Sequence, residues 1–393
     1  MKRLLLLGLV ALAAGAQTTR RPLLVISVDG LDQRYLKDAS LKMPTIRRLM
    51  REGEVTEGVI GVAPTVTWPS HTSMITGARP ADHGILGNRR PRNEGGDYYW
   101  TVDLLKVKTL WHATRAAGLK SAAITWPVTV DAAIDYNLPE AFRRRNGGSM
   151  DYDRIAETAT PKDLPEKIRA KYPAFGAQWV DDRARALAAQ YMVETYKPDL
   201  LLLHFVDLDS EAHDRGPFTR EANAILEYTD ELIAGILRVT PKNYVVALTS
   251  DHGFEHTKRV ANPLVLTKDL FVTSGLALAR TQAAAEVLRK KMAEPDSGIL
   301  REVPIAEVPK YAPHYPAGAA AFEPAADCQF GNDAAKYWTE PHERGNHGFW
   351  PTRPNYRSVL VLWGNGIKPS RKPEMQMTDM AKRFAEILGI AWP

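Results

Sequence analysis

Five short apolar runs, separated by amphipathic stretches, limit the folds open to this chain more than any other feature. The runs cover residues 23–28, 121–125, 200–206, 244–249 and 358–363. They show little apolar–polar alternation, as expected of strands covered on both faces, and read as buried parallel strands. Between them lie residues 44–52, 110–117, 181–196, 220–237 and 378–388, whose apolar positions recur at helical spacing and which often close on Gly or Pro. Such alternation predicts a mostly parallel central sheet with helices on both faces, an α/β three-layer sandwich. Ligands in such folds bind beyond the carboxyl ends of the strands, so polar residues directly after an apolar run carry most weight.

Two stretches break the pattern. Residues 131–172 are charged and rich in Gly and Pro, and residues 262–344 mix one helical segment at 281–292 with Pro-rich turns. Both read as insertions, or a small inserted lobe, near the site. With 393 residues and 45% hydrophobic content, the chain can fill one large catalytic domain over 17–393 that carries them.

The first sixteen residues, Met1-Lys2-Arg3, then Leu4 to Ala14, then Gly15-Ala16, have the charged, apolar and small-residue zones of a secretory signal cleaved after Ala16. The apolar zone is shorter than the roughly 20 residues a spanning helix needs. The expectation is an exported protein, periplasmic or secreted, with no stable membrane span after cleavage. The formal charge of +5 loses Lys2 and Arg3 with the leader, and the remaining excess is too mild to argue for specific nucleic-acid binding. Arg89-Arg90 and Arg143-Arg144-Arg145 read as solvated basic faces. Cys328 is alone and forms neither an internal disulfide nor a zinc knuckle. Nothing in the sequence sets the oligomeric state.

Chemistry-bearing residues follow the apolar runs. The first ends in Val28-Asp29-Gly30, a carboxylate before a turn-forming Gly, which alone is a weak signal. The run at 200–206 leads into Asp207-Leu208-Asp209-Ser210-Glu211-Ala212-His213-Asp214; Asp209 and His213 share one helical face, with Asp207 and Asp214 as rivals. A third run ends in Ser250-Asp251-His252-Gly253, and His347 lies between Asn346 and Gly348 further on. Asp and His together suit divalent zinc, and three such groups at the same edge of a sheet point to a metal centre. The hydroxyl-rich segment Pro64 to Gly77 enters a short helix, whose N-terminus favours phosphate. Thr65, Thr67, Ser70 and Thr72 compete there as nucleophiles that a metal would activate; the bland alternative is that they cap the helix.

Taken in order, several motifs resemble the type I phosphodiesterase and nucleotide pyrophosphatase family of the alkaline phosphatase superfamily. They are Val28-Asp29-Gly30, Thr67-Trp68-Pro69 with His71 and Thr76-Gly77, His83-Gly84-Ile85 with Asn88, Trp126-Pro127, Asp209 to His213 with Gly216-Pro217, Ser250 to Gly253 and Gly345 to Gly348. The resemblance implies an alkaline-phosphatase-like fold with two divalent ions, zinc the first choice. Asp29, Asp251 and His252 would hold the metal that activates and binds Thr67. Asp209, His213 and His347 would hold the second. Asn88 would donate to a nonbridging phosphate oxygen, and the reaction would run through a phosphothreonine on Thr67 in two in-line displacements. The sequence departs from the family at Ser70, where Asn is usual, and at Val128, where Gly is usual.

Substrates of this class are small phosphate esters or nucleotides. Trp68, beside the nucleophile, and Trp100, in the run Tyr98-Tyr99-Trp100, are candidates for stacking on a base or leaving group. A phosphodiesterase or nucleotide pyrophosphatase is the first reading. A phosphomonoesterase, with the Arg143 to Arg145 cluster reaching the phosphate, is the second. Sulfate esters rank lower, because no Cys/Ser-x-Pro-x-Arg motif sits at the Thr67 loop, and a non-catalytic periplasmic binding protein would have lost a ligand or the nucleophile.

Overall fold

The computed structural model describes residues 20–142, 152–176 and 181–392. The expected leader and Arg143 to Arg145 lie outside the described residues. Eight strands form one sheet: β1 (Leu23–Val28), β2 (Glu54–Thr56), β3 (Ser121–Ile124), β4 (Tyr136–Leu138), β5 (Leu200–Phe205), β6 (Val245–Thr249), β7 (Leu360–Gly364) and β8 (Ser370–Lys372). Their spatial order is β8-β2-β7-β6-β1-β5-β3-β4. β1 pairs in parallel with β5 on one side and β6 on the other, and β3 continues the parallel set with β5 and β4.

Alternate residues of each strand face opposite layers. Leu24, Ile26 and Val28 join Leu201, Leu203, Val246 and Leu248 in one core. Over that face lie α1 (Pro44–Glu52), α4 (Asp182–Thr195) and α6 (Arg220–Val239), which contribute Ile46, Leu49, Met192, Leu226 and Ile233. Leu23, Val25, Leu200, Leu202, Val245 and Ala247 face the other core, beneath α2 (Thr67–Thr76), α3 (Leu110–Ala116) and α7 (Met380–Leu388). Each fully buried aliphatic side chain here is worth about 1.5–3 kcal/mol of transfer free energy. That two-sided burial is why the runs lack alternation.

One expectation is corrected. The run at 358–363 forms β7, which is antiparallel to both β6 and β2. An apolar run records burial on both faces and carries no information on direction. The short strands β2, β4 and β8 sit toward the margins of the sheet and have too few residues for a periodic signature; β4 lies within the stretch read as an insertion. Within residues 262–344, a four-stranded antiparallel sheet is ordered Leu270–Thr273, Leu276–Ala279, Ala320–Pro324, Ile299–Val303, with the helix Gln282–Met292 packed on it. Among the described residues, no helix is long and apolar enough to cross a membrane.

Strand register positions the site. Val28 stands opposite Phe205, and Ser27 opposite Thr249. Asp29, the start of α5 (Asp207–Arg215) and Asp251 therefore leave the sheet side by side. Pairing of Gly345–Asn346 with Glu255–His256 then carries His347 back to the same edge.

Candidate active site

Two groups of ligand-type side chains converge at that edge, each with its donor atoms within 4.8 Å of one another: Asp209, His213 and His347, and Asp29, Asp209 and His252. Asp209 belongs to both. Asp251 joins the second group, its Oδ2 lying 3.1 Å from His252 Nε2, while Asp29 Oδ1 lies 3.2 Å from the same nitrogen. Among the described residues, Asp29 Oδ1, Asp209 Oδ1, Asp251 Oδ2 and His252 Nε2 are buried without any hydrogen-bond partner. Buried polar atoms are normally satisfied, so four orphans aimed at one another fit a divalent cation as their common partner. The Asp/His donor set is of the kind zinc takes.

The imidazoles are oriented for this. His252 Nδ1 donates to the Gly253 carbonyl at 3.1 Å, His347 Nδ1 to the Thr65 carbonyl at 3.2 Å, and His213 Nδ1 faces the Gly345 carbonyl at 3.2 Å and Glu343 at 2.8 Å. In each ring the Nδ1 side is occupied and Nε2 is left for the cluster, the arrangement by which outer partners fix a ligand's tautomer and direction. Gly30 makes the exit turn of β1 with φ of +70°, where a Cβ would stand 2.8 Å from the Phe254 ring, and its N–H donates to Asp251 Oδ1 at 3.1 Å.

Charge at the site is unevenly shared. Burial, and then the Asp209 and Asp251 charges, hold the Asp29 carboxyl well above the usual range. Burial also raises Asp251, to about 6. His252 and His347 are driven well below the ordinary imidazole value, by burial first and then by neighbouring histidines. For His213, burial opposes the proton, but Asp209 and Glu343 overcome it and raise the ring to about 9. Three carboxylates gathered out of water repel one another, and a cation relieves that.

Asp207 is held elsewhere. Its carboxylate accepts from the Asp182 N–H at 3.1 Å and lies 3.7 Å from Arg185, while Asp214 is exposed. Of the rivals on the helix, the structure brings Asp209 into the cluster and leaves these two out.

The hydroxyl-rich loop sorts itself similarly. Thr65 Oγ donates to the Phe349 carbonyl at 2.7 Å and Thr72 Oγ to the Trp68 carbonyl at 2.8 Å, so both serve the fold. Ser70 Oγ is buried with no hydrogen-bond partner among the described residues. Thr67 is the first residue of α2, and the residue before it, Val66, makes no side-chain cap, so these hydroxyls do not cap the helix. The loop is fastened to the cluster on two sides: His347 donates to Thr65, and His71, whose Nδ1 donates to the Thr67 carbonyl at 2.9 Å, has that same nitrogen 3.7 Å from Asp251 Oδ2. Asn88 Oδ1 accepts the Trp68 N–H at 3.0 Å, which leaves the Asn88 amide nitrogen as a donor beside the Thr67 loop. With that N–H engaged and Pro69 lacking one, the first turn of α2 offers fewer free amides than the regular helix start expected from sequence.

The aromatic candidates differ from each other. Trp68 is buried at 5% exposure, packs with Ile85, Tyr99 and Val128, and donates Nε1 to the Tyr99 carbonyl at 3.1 Å. Trp100 and Tyr98 are half-buried and cover it, with ring centroids 5.9 and 4.7 Å from Trp68. Tyr98 carries the Arg89 guanidinium 4.2 Å above its ring, and Trp100 packs beside it at 4.8 Å. Val128 adopts φ of +60°, the left-handed region that favours Gly, which accords with Gly being usual there.

Three groups with a bearing on the site escaped the sequence reading: His204, Glu140 and Glu343. His204 had a signal, a lone polar residue in an otherwise apolar strand. Glu140 and Glu343 had none, since nothing in sequence links them to the strand ends.

The family model described as "Type I phosphodiesterase / nucleotide pyrophosphatase" matches residues 23–317. The chain belongs to this family. Among curated members, human ectonucleotide pyrophosphatase/phosphodiesterase family member 1 is 26% identical over 254 residues, 62% of this chain and 24% of the relative. Venom phosphodiesterase 2 of Crotalus adamanteus is 26% identical over 257 residues, 60% of this chain and 27% of the relative. The chain thus matches about a quarter of the length of these relatives. Among solved structures, murine ectonucleotide pyrophosphatase/phosphodiesterase 5 superposes with a TM-score of 0.66 at 20% identity, covering 95% of this chain and 96% of that one. The same murine protein is known as an inactive threonine-to-alanine form in complex with AMP, with a TM-score of 0.65. These likenesses carry the α/β fold with its mostly parallel central sheet over nearly the whole chain.

Proposed function

We propose that this protein is an exported two-metal hydrolase of phosphodiesters or nucleotide pyrophosphate bonds, acting through a phosphothreonine on Thr67. The observation that carries the reading is the convergence of four partnerless buried ligand atoms on Asp29, Asp209, Asp251 and His252 beside the Nε2 faces of His213 and His347. Asp29, Asp251 and His252 would hold one ion, and Asp209, His213 and His347 the other, with Asp209 near enough to touch both. When bound, two zinc ions supply charge neutralisation at the attacking and leaving oxygens and lower the pKa of the Thr67 hydroxyl. The names of the curated relatives, phosphodiesterases and nucleotide pyrophosphatases, support the substrate class. So does the AMP complex of the inactive murine threonine variant.

In the first displacement Thr67 Oγ forms the new bond to phosphorus and the leaving alcohol or nucleotide departs in line. In the second, water attacks the same phosphorus and Thr67 leaves with a proton restored. Asn88, its carbonyl pinned by Trp68, presents Nδ2–H to a nonbridging oxygen; one such donor is typically worth a few kcal/mol. Trp100, half-buried, offers its ring to a base, while Tyr98 and Trp68 pack against it.

The test compares specificity constants of the zinc-loaded protein for thymidine monophosphate p-nitrophenyl ester, bis-p-nitrophenyl phosphate and p-nitrophenyl phosphate. The proposal expects the nucleotide diester to be preferred. A preference for the monoester would replace it with a Thr-dependent alkaline phosphatase.

A further inference from the structure

Burying an imidazole inside an all-apolar strand is costly unless both ring nitrogens are satisfied. β5 reads Leu200 to Leu203, then His204, then Phe205, and His204 is 1% exposed. Its Nε2 donates to Asp29 Oδ2 at 3.0 Å, and its Nδ1 donates to the Thr125 carbonyl at 2.9 Å. Thr125 Oγ in turn donates to the His204 carbonyl at 2.9 Å, so one residue grips both the ring and the backbone. Behind the ring stands the buried carboxylate of Glu140, whose Oε2 lies 3.7 Å from Nδ1 and has no hydrogen-bond partner among the described residues.

The consequence appears at Asp29. Its two oxygens are divided: Oδ2 is tied to His204, and Oδ1 is the partnerless atom 3.2 Å from His252 Nε2. The terminal torsion of an Asp side chain is broad and roughly two-fold, so an untied carboxylate would swing. The same buried network reaches the other ligand group. Arg185 donates Nε to Thr125 Oγ at 3.0 Å and pairs with Asp182 at 3.1 Å. Asp182 accepts from the N–H groups of Val206 and Asp207 at 2.8 and 3.0 Å, which fixes the start of α5 below Asp209 and His213.

We propose that His204, backed by Glu140, is the positioning residue of the Asp29 metal site, holding the carboxylate so that Oδ1 faces the ion. The proposal rests on the reading that Asp29 is a metal ligand. It makes residue 140, in the stretch beyond β4, a determinant of metal affinity.

The full chain and its His204→Phe, His204→Gln and Glu140→Gln variants are stripped with a chelator and titrated with zinc against a chromophoric competitor, alongside thermal unfolding. Wild type is expected to bind two ions. His204→Phe is expected to weaken one of the two by about 10- to 100-fold, the usual effect of losing an outer partner, and to leave the other unchanged. His204→Gln, which keeps a donor for Asp29, is expected to recover part of the loss, and Glu140→Gln to weaken the same ion to a lesser degree. Wild-type affinity at both sites in His204→Phe overturns the proposal, as does equal weakening of both ions with a lowered unfolding temperature. If His204→Phe does not fold, wild-type affinity in Glu140→Gln overturns it. A wild-type chain that binds no zinc removes the metal-site reading beneath it, which a two-ion wild type beside an unaffected variant would not.

Discussion

Zinc binding by this protein should release protons, and His213 sets how many. In the protein without metal its ring is raised from 6.5 to about 9 by Asp209 and Glu343 against the cost of burial, so it is protonated at neutral pH. A ligand imidazole must be neutral. His252 and His347, driven well below the ordinary value, are already neutral and release nothing. Below about pH 8 the competing proton on His213 costs a factor of about 10 in affinity per pH unit, and the slope flattens toward pH 9. Zinc affinity of the Asp209–His213–His347 group should therefore rise about 50-fold from pH 7 to pH 9, about 2.3 kcal/mol, with half the rings still protonated at pH 9.

The metal-free fold responds with the opposite sign. A histidine whose folded value is raised contributes stability that is full below about 6.5 and lost as pH rises through about 9. Raising the pH thus weakens the metal-free protein while tightening its hold on zinc. The assay is calorimetric titration with zinc at pH 7.5 in two buffers of different ionisation enthalpy, with affinities followed to pH 9 in chelator-buffered zinc. At least about one proton should leave per chain. Heats that do not depend on the buffer, or affinity that is flat from pH 7 to pH 9, would refute the reasoning.

Other outcomes follow from the same geometry. Thr67→Ala should abolish turnover while both ions remain, as read by metal analysis of the purified variant. Asp209→Ala should lose both ions, because Asp209 stands in both groups; Asp207→Ala should keep them and lose about 1 kcal/mol of stability in denaturant, since its carboxylate only holds the Asp182 N–H and Arg185. Asn88→Ala should lower kcat by about 10²–10³-fold. Trp100→Ala should raise KM for the nucleotide diester several-fold, about 1 kcal/mol, and leave bis-p-nitrophenyl phosphate less affected.

How far the sequence revealed this depends on which physical signal each feature leaves. β1 and α1 have the bounds expected, because two-sided burial and an N-terminal Pro mark them directly. Asp29, Asp251 and His252 were legible as strand exits, and register alone brings them together. The direction of β7 was not, since burial has no direction. Trp68 read as a stacking residue by its place beside Thr67, yet its Nε1 bond to the Tyr99 carbonyl and its packing with Ile85 and Val128 draw it inward. Without the family resemblance, the residues alone left Asp207 and Asp209 as rivals: the two are two residues apart, about half a turn, on opposite sides of α5, and the bond from the Asp182 N–H shows that Asp207 is engaged elsewhere. His204 and Glu140 come together across distant segments that no local pattern connects.

The most direct test of the central claim is mass analysis of the zinc-loaded protein, acid-quenched during turnover of thymidine monophosphate p-nitrophenyl ester. The account predicts one thymidylyl group on the peptide that contains Thr67, absent from Thr67→Ala. Full turnover with no adduct on that peptide, or an adduct on another residue, would contradict it.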